Sequence, residues 1–436
     1  MEDGSPRRTA RQPARAGRDG GLSVATVPGP GPASAITAVR GPIPPGDVGV
    51  VLAAESLLRA PALARGNAGI PASDAEFRRA PVTIDVLGRL LMGAENFEDR
   101  TIGEPEAAAA LLRFRSAAVP AAPAGTEPRS PDGDAIRLLV SLDERDSTGT
   151  GDALARVSAA SGVEIVRGTA GRFTDGRADG GRTAPDDPES VGLRIIEELG
   201  APVHPAGVVG AIPVRDAHAD GGADCIGRAD GTACGGRRAA DRRSALIRAA
   251  ADAARRSGAA LVLDLSGPGA PGAPVSTNPE PDATPALDRA LHRALAAVDS
   301  AGLPRHRVLL TGVATAVAGR IGIDGARFDA LLDQGTALCF DDLGRIPNVR
   351  TVVSDHDIAL AILHAAEQGA QERILLSCGI RNRHRLTAFG GNGLEFTVEQ
   401  FLPYLGMLGA DPALQHAVGA ANAARILART APEETR

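Results

Sequence analysis

Short aliphatic runs alternate with longer Ala-rich stretches over most of the chain. The runs lack a polar residue at every second position, which is typical of strands buried on both faces of a parallel sheet. They predict strands at 48–52, 136–142, 163–168, 208–212, 260–265, 308–313, 336–340 and 374–377. The stretches between them predict helices at 104–114, 151–160, 190–199, 242–257, 285–301, 327–334, 355–368 and 398–408. Alternating strands and helices of this number predict an α/β fold, a (β/α)8 TIM barrel.

Stretches rich in Gly, Pro and Asp interrupt this alternation at 115–134, 171–188, 215–240 and 266–286. The last three each follow a predicted strand, so we expect long loops at the C-terminal face of the barrel, where ligands bind. Tolerated insertions without a function are an equally good interpretation. Residues 1–33, rich in Gly, Pro and Arg, predict a disordered N-terminal tail. The predicted barrel domain covers 34–430, and 431–436 form a C-terminal tail.

Composition excludes several kinds of chemistry. All 47 basic residues are Arg, so Schiff-base lysines, P-loop lysines and carboxylated-lysine metal bridges cannot form. The net charge of −6 and the 2% aromatic content give no support for nucleic-acid binding. No apolar run is long enough for a membrane span, no signal-peptide core follows the basic N-terminus, and four Cys do not make a disulfide framework. The expected location is therefore cytoplasmic.

Three segments carry a resemblance to a known family. The opening segment reads "AVRGPIPPGDVGVVLAAESLL" from Ala38, and "ALCFDDLGR" follows from Ala337. The most specific run is "QERILLSCGIRNRHRLTAFGGNGLEFTVEQFLPYLGMLGA", from Gln371. Over about residues 36–428 the chain resembles the phosphotriesterase-related group of the amidohydrolase superfamily. The resemblance implies a TIM barrel that acts on a small organic molecule, with a homodimer or a pairing with a related protein.

The resemblance also implies a site of one or two metal ions at the strand ends, where the metal activates a water molecule. In this chain the ligand positions of the family are replaced. They fall on Ala54, Ser56, Ala211, Asp264, Gly312 and Gly379. Of these side chains only the Asp264 carboxylate remains a plausible ligand, and one carboxylate does not hold a metal pair. We therefore predict a degenerate member without metal or other cofactor.

Two aspartates are the leading catalytic candidates. Asp264 replaces a ligand His and should face the cavity, and Asp341 closes the seventh strand. One protonated and one ionised carboxyl group could perform acid–base chemistry. The alternative is that Asp264 only fills the vacated metal space, solvated or paired with an Arg.

Weaker catalytic candidates are Cys378 and Glu55. Cys378 ends the eighth strand and would need a partner such as His384 to act as a nucleophile. Otherwise it is a small buried hydrophobic residue. Glu55 lies between Ala54 and Ser56, so strand alternation predicts that it faces away from the mouth.

Binding candidates lie in the loops after strands seven and eight. Asp342, Arg345 and Arg381 are assigned to substrate binding, because an Arg can bind a carboxylate or phosphate group. Ordinary surface arginines are the alternative interpretation. His218, Cys225 and Cys234 share one loop, but their spacing is poor for zinc, and they are most simply loop residues.

Two hypotheses of function follow. The first is a metal-independent enzyme that acts on a small organic molecule by hydrolysis, elimination, isomerisation or cyclisation, in keeping with specialised metabolism. The second is a non-catalytic pseudoenzyme that binds a ligand or serves as a scaffold subunit for an active partner. The sequence leaves the choice between them open.

Overall fold

The computed structural model describes residues 34–59, 71–118, 135–142, 147–169, 187–215, 234–266 and 283–429. The predicted tails, at 1–33 and 431–436, lie outside these residues, as do the central parts of the four predicted loops. The domain limits at 34 and 430 therefore stay predictions.

Eight parallel strands of the described chain form two sheets. The first sheet has the order β3-β4-β5 and the second the order β10-β9-β8-β7-β6. A parallel bridge between Gly168 and Val208 links β5 to β6. The strands are β3 (Val48–Glu55), β4 (Ile136–Ser141), β5 (Glu164–Arg167), β6 (Val208–Pro213), β7 (Ala260–Asp264), β8 (Val308–Thr311), β9 (Ala337–Phe340) and β10 (Ile374–Leu376).

Helices connect successive strands, and shorter elements flank them. An antiparallel hairpin, β1 (Ile36–Ala38) and β2 (Gly41–Ile43), precedes β3. The helices are α1 (Ala72–Phe77), α2 (Ile84–Leu91), α3 (Glu104–Ser116), α4 (Ser147–Ser161), α5 (Pro188–Leu199), α6 (Cys234–Ser257), α7 (Ala283–Ser300), α8 (Val313–Ala316), α9 (Gly325–Leu332), α10 (Asp355–Glu367), α11 (Leu402–Met407), α12 (Pro412–His416) and α13 (Asn422–Leu427). Short π-helical turns, Thr397–Phe401 and Ala417–Ala421, lead into α11 and α13.

The two faces of the strands bury different cores. In β7, Leu261 and Leu263 pack in the core shared with the helices, whereas Val262 packs in an inner core. That inner core also contains Leu138 from the first sheet and Leu309 from the second. The two sheets therefore enclose a common interior, as the unalternating aliphatic runs predicted.

The α/β class and all eight predicted strands are confirmed, with ends shifted by a few residues. The hydrogen-bonded strands of the described chain form two sheets, so a closed barrel stays a prediction. The predicted strand 308–313 ends at Thr311, since Gly312 adopts a left-handed conformation and α8 begins at Val313. In the part of the chain that the structure describes, no helix is long and apolar enough to cross a bilayer.

Candidate functional site

The carboxyl ends of β7, β8, β9 and β10 bring several predicted site residues to one edge. Asp264 ends β7, Gly312 follows β8, Asp341 follows β9 and Gly379 lies just beyond β10. Parallel strands end at the same edge of a sheet, which is where ligands bind in α/β folds. This edge is the candidate site.

Asp341 is a buried acid of the site with a strongly raised pKa. Its side chain is 5% exposed, and its Oδ1 accepts a hydrogen bond of 2.8 Å from the backbone N–H of Gly312. Burial, followed by the negative charge of Asp342, raises the pKa of Asp341 from 3.8 to about 7. The Arg381 charge opposes this shift and Asp264 adds to it. The carboxyl group of Asp341 can therefore give or take a proton near neutral pH.

Asp264 also lies close to Gly312. Its Oδ1 accepts from the Ser266 N–H at 2.9 Å, and the Thr311 hydroxyl lies at 3.5 Å. A Cβ added to Gly312 would lie 3.1 Å from this oxygen. The structure thus brings the two predicted carboxylates to one glycine, Asp264 half-buried and Asp341 buried.

Three arginines face these acids. Arg345 donates from Nε to Asp342 Oδ1 at 2.6 Å. Burial raises the pKa of Asp342, but the charges of Arg345, Arg385 and Arg381 outweigh burial, so its pKa lies below the ordinary value. Arg381 is half-buried and acts on both aspartates. The predicted binding residues Asp342 and Arg381 therefore act electrostatically on Asp341, and Arg345 pairs with Asp342.

Arg385 is a member of this site that the sequence did not reveal. Its buried guanidinium donates to the carbonyl oxygens of Leu343, at 2.8 Å, and of Cys378, at 3.0 Å. Burial lowers its pKa to about 10. Nothing in the run "RNRHR" distinguishes it from its neighbours, because an Arg is buried only through tertiary packing.

Glu55 is buried, with 1% exposure, and is bound by the segment after β10. Its Oε1 accepts from the Ser377 hydroxyl at 2.7 Å and from the backbone N–H groups of Cys378 and Gly379 at 2.7 and 3.0 Å. Its Oε2 accepts from the Ile380 N–H at 2.6 Å. Burial raises the pKa of Glu55, and these hydrogen bonds oppose that shift.

The positions that the resemblance assigned to metal ligands leave little room for larger side chains. Gly379 has φ +58°, and a Cβ there would lie 1.9 Å from the Asp341 carbonyl oxygen. Gly312 has φ +71°, and its Cβ would lie 2.4 Å from Ser266 Oγ. Ala54 and Ser56 are both buried, and Ala211 packs against the inner core. The donors at these positions, one carboxylate and one hydroxyl, do not fit a two-metal site.

No group of three or more His, Cys, Asp or Glu side chains suited to a metal ion occurs among the residues that the structure describes. His218 and Cys225 lie outside those residues. Cys234 begins α6, but its side chain is outside what is described. A metal site in that loop is therefore not tested.

Cys378 and His384 do not meet. Cys378 is fully buried, with Sγ 3.3 Å from the Thr397 hydroxyl, and burial raises its pKa. His384 instead pairs through Nδ1 with Asp99 at 2.9 Å. A buried thiol with a raised pKa is a poor nucleophile, so this geometry favours the alternative interpretation of Cys378 as a small hydrophobic residue.

Comparisons with known proteins place this fold. No protein-family model and no curated protein matches the sequence. A resiniferatoxin-binding protein from Rhodobacter sphaeroides has a similar structure, with a TM-score of 0.63, 23% identity, and coverage of 90% of this chain and 94% of that one. A lactonase from Listeria monocytogenes matches with a TM-score of 0.57 and 14% identity over 91% of this chain and 100% of its own.

A third similar structure is a phosphotriesterase homology protein from Escherichia coli complexed with phosphate in its active site. It matches with a TM-score of 0.54 and 15% identity, over 87% of this chain and 99% of that chain. Identities this low establish a shared fold, and a shared fold does not imply a shared activity. The chain has the α/β fold of phosphotriesterase-like proteins and lactonases.

Proposed function

We propose that the chain is a metal-independent enzyme that acts on a small organic molecule at the carboxyl ends of β7–β10. The observation that carries this proposal is the placement of the Asp341 and Asp264 carboxylates beside the same residue, Gly312. One carboxyl group is buried and receives a backbone hydrogen bond, and the other is half-buried and near solvent. Two carboxyl groups in such different surroundings suit the roles of proton donor and proton acceptor.

In this proposal Asp341 is the proton-transferring residue. A group with a pKa of about 7 is present in both protonation states at neutral pH, which favours general acid–base catalysis. Asp264 favours the protonated form of Asp341, and Arg381 favours the ionised form. A substrate that changes the exposure or charge around this pair would shift the balance between the two forms.

Arg345 and Arg381 are proposed to bind a carboxylate or phosphate group of the substrate. Asp342 orients Arg345 through their ion pair, in which the Asp342 carboxylate is largely shielded and the Arg345 guanidinium partly exposed. Guanidinium groups bind such anions in a defined geometry. A bound anion here would lie beside the acid pair.

Reactions that need only binding and proton transfer are compatible with this site. They are hydrolysis of a lactone or ester, elimination, isomerisation and cyclisation, none of which requires a carboxylated lysine. Orienting a substrate can itself supply several kcal/mol of the reduction in barrier. The similar fold of a lactonase supports testing lactones first.

The proposal is tested by turnover of a panel of lactones and aryl esters by metal-depleted protein. We expect a pH profile with a midpoint near 7 and a loss of roughly 100-fold or more in Asp341→Asn. Asp329→Asn is the control, because Asp329 lies on α9, partly exposed and paired with His364. Equal rates in Asp341→Asn and the parent, or turnover that appears only after metal addition, would refute the proposal.

A second candidate is a ligand-binding pseudoenzyme. The close packing at Gly312 and Gly379 favours it, because these positions no longer have room for catalytic side chains. A similarly folded protein is described as binding resiniferatoxin, so apolar polycyclic ligands belong in the binding screen. Binding without turnover in both the parent and Asp341→Asn would select this candidate. Assembly as a homodimer or with a related subunit stays a prediction, tested by the mass in solution.

A further inference from the structure

We propose that Ser377–Ile380 forms a carboxylate-binding nest and that Glu55, which fills it, is a positioning residue for Asp341. The nest itself stands on the contacts of Glu55, and the positioning role rests on the proposed function of Asp341. No contact places Glu55 against the acid pair, so its effect there must pass through the backbone.

The nest is built from consecutive donors. The N–H groups of Cys378, Gly379 and Ile380 and the hydroxyl of Ser377 all point at one carboxylate, at 2.6–3.0 Å. Successive backbone N–H groups that converge in this way form an anion-binding concavity. Both oxygens of the carboxylate are used, and its 1% exposure leaves no face for a substrate.

The residues beside Glu55 bind the same segment. The Ala54 N–H donates to Ser377 Oγ at 2.9 Å, and the Ser56 N–H donates to the Ile380 carbonyl at 3.3 Å. Three consecutive residues at the end of β3 are thus joined to the chain after β10. These hydrogen bonds connect β3 and the segment after β10, at the edge of the two sheets that carries the candidate site.

The nest also supports the backbone of Asp341. Gly379 packs directly against the Asp341 carbonyl oxygen, in a space that would not admit a Cβ. The Ser377 N–H donates to the Phe340 carbonyl at 2.9 Å. The position of Asp341, and with it the hydrogen bond from Gly312, therefore depends on a segment that Glu55 holds.

The first experiment is chemical rescue of Glu55→Ala with formate. Removal of the carboxylate leaves three buried N–H groups unpaired, so we expect Tm to fall by about 5 °C or more. Formate should restore much of this loss, because it supplies a carboxylate that fits the emptied nest. Leu52→Ala, a buried truncation in the same strand, is the control and should not respond to formate.

The second readout is hydrogen exchange of the Gly312 amide, compared with the Leu310 amide of β8. In Glu55→Ala we expect Gly312 to exchange about tenfold faster relative to Leu310, and formate to reverse this change. In Leu52→Ala the ratio of the two rates should stay as in the parent. Neither readout requires a substrate, so they can succeed or fail independently of turnover.

Each outcome decides one part of the inference. Absence of a formate effect on Glu55→Ala would refute the nest. If formate restores Tm but Glu55→Ala leaves the ratio of the Gly312 and Leu310 exchange rates unchanged, the positioning role is refuted and Glu55 is purely structural. If Glu55→Ala does not fold, Ser377→Ala removes one donor and keeps Glu55. That variant should raise the Gly312 ratio by a smaller factor, and an unchanged ratio would overturn the positioning role.

Discussion

Two adjacent carboxyl groups, Asp341 and Asp342, have opposite surroundings. Burial raises the pKa of both carboxyl groups, but at Asp342 the charges of three arginines and the hydrogen bond from Arg345 together outweigh it. The sequence motif "DDLGR" contains both residues but does not say which one is shielded from the arginines. A difference of this kind between neighbours is typical of functional sites.

The raised pKa of Asp341 makes a pH-dependent prediction of stability. The folded state holds this proton up to pH about 7, whereas the unfolded chain releases it near 3.8, so stability falls as pH rises between these values. Asp341→Asn should therefore be more stable than the parent by roughly 2–4 kcal/mol at pH 8, and by less at pH 5. Urea unfolding at the two pH values measures this difference.

Asp342→Asn is the matched control and should behave in the opposite way. The pKa of Asp342 is lowered, so its ionised carboxylate stabilises the folded state above the ordinary pKa of 3.8. This stabilisation is lost as pH falls. We expect a loss of roughly 1–2 kcal/mol at pH 8 from the broken pair with Arg345. Destabilisation of both variants at pH 8 would contradict the assignment of a buried, unfavourable charge to Asp341.

Gly379 gives a second prediction at this scale. Gly379→Ala would place a methyl group against the Asp341 carbonyl oxygen, at a residue with a left-handed backbone. We expect the free energy of unfolding to fall by about 3 kcal/mol or more. Gly369 has a similar φ of +70° and open space around it, so Gly369→Ala should cost only about 1–2 kcal/mol. Chemical denaturation compares them, and equal losses would mean that the close contact is relieved by a backbone shift.

At the scale of elements, the aliphatic runs predicted the strands correctly. A parallel strand that is buried on both faces is apolar at nearly every position, so it stands out in the sequence. The runs at 48–52 and 374–377 correspond to β3 and β10. The β1–β2 hairpin was missed, since strands of three residues carry too little pattern. Helix α1 was not predicted, because it has only six residues and follows Pro71.

The start of α10 is defined by a capping box that also supports the candidate site. Ser354 Oγ accepts from the Asp357 N–H at 3.2 Å, and Asp357 Oδ2 accepts from the Ser354 N–H at 2.8 Å. Asp355 accepts from the Gly344 N–H at 3.1 Å, which ties the loop after β9 to the helix. The sequence "SDHD" is typical of a helix start, because Ser and Asp are favoured at the capping position.

Ser354→Ala should lower the free energy of unfolding by about 1 kcal/mol. Ser300→Ala is the control, because the Ser300 hydroxyl donates only to the Ala297 carbonyl near the end of α7. We expect that control to change stability by less than about 0.5 kcal/mol. Guanidinium denaturation monitored by circular dichroism distinguishes the two, and equal effects would argue against the cap.

At the scale of the molecule, the proposed loss of the metal site predicts how the whole chain responds to ions. After incubation with zinc, manganese or cobalt and dialysis, we expect less than about 0.1 ion per chain, because the donor set is incomplete. Chelators should leave Tm unchanged, since a ligand that is not bound cannot stabilise the folded state. Elemental analysis and thermal unfolding test both points. A stoichiometric ion would contradict the prediction and direct attention to His218, Cys225 and Cys234.

The sequence by itself determined the order of strands and helices, and it predicted the edge of the fold at which ligands should bind and the positions at which metal ligands are absent. These are local properties, readable from apolar runs and from positions within a motif. Only the tertiary structure decided that Asp341 is buried beside Gly312, that Arg385 is buried against Leu343 and Cys378, and that Glu55 binds the segment after β10. Burial and hydrogen bonds between residues some 320 positions apart arise from packing, and no local pattern encodes the dielectric surroundings that set a pKa.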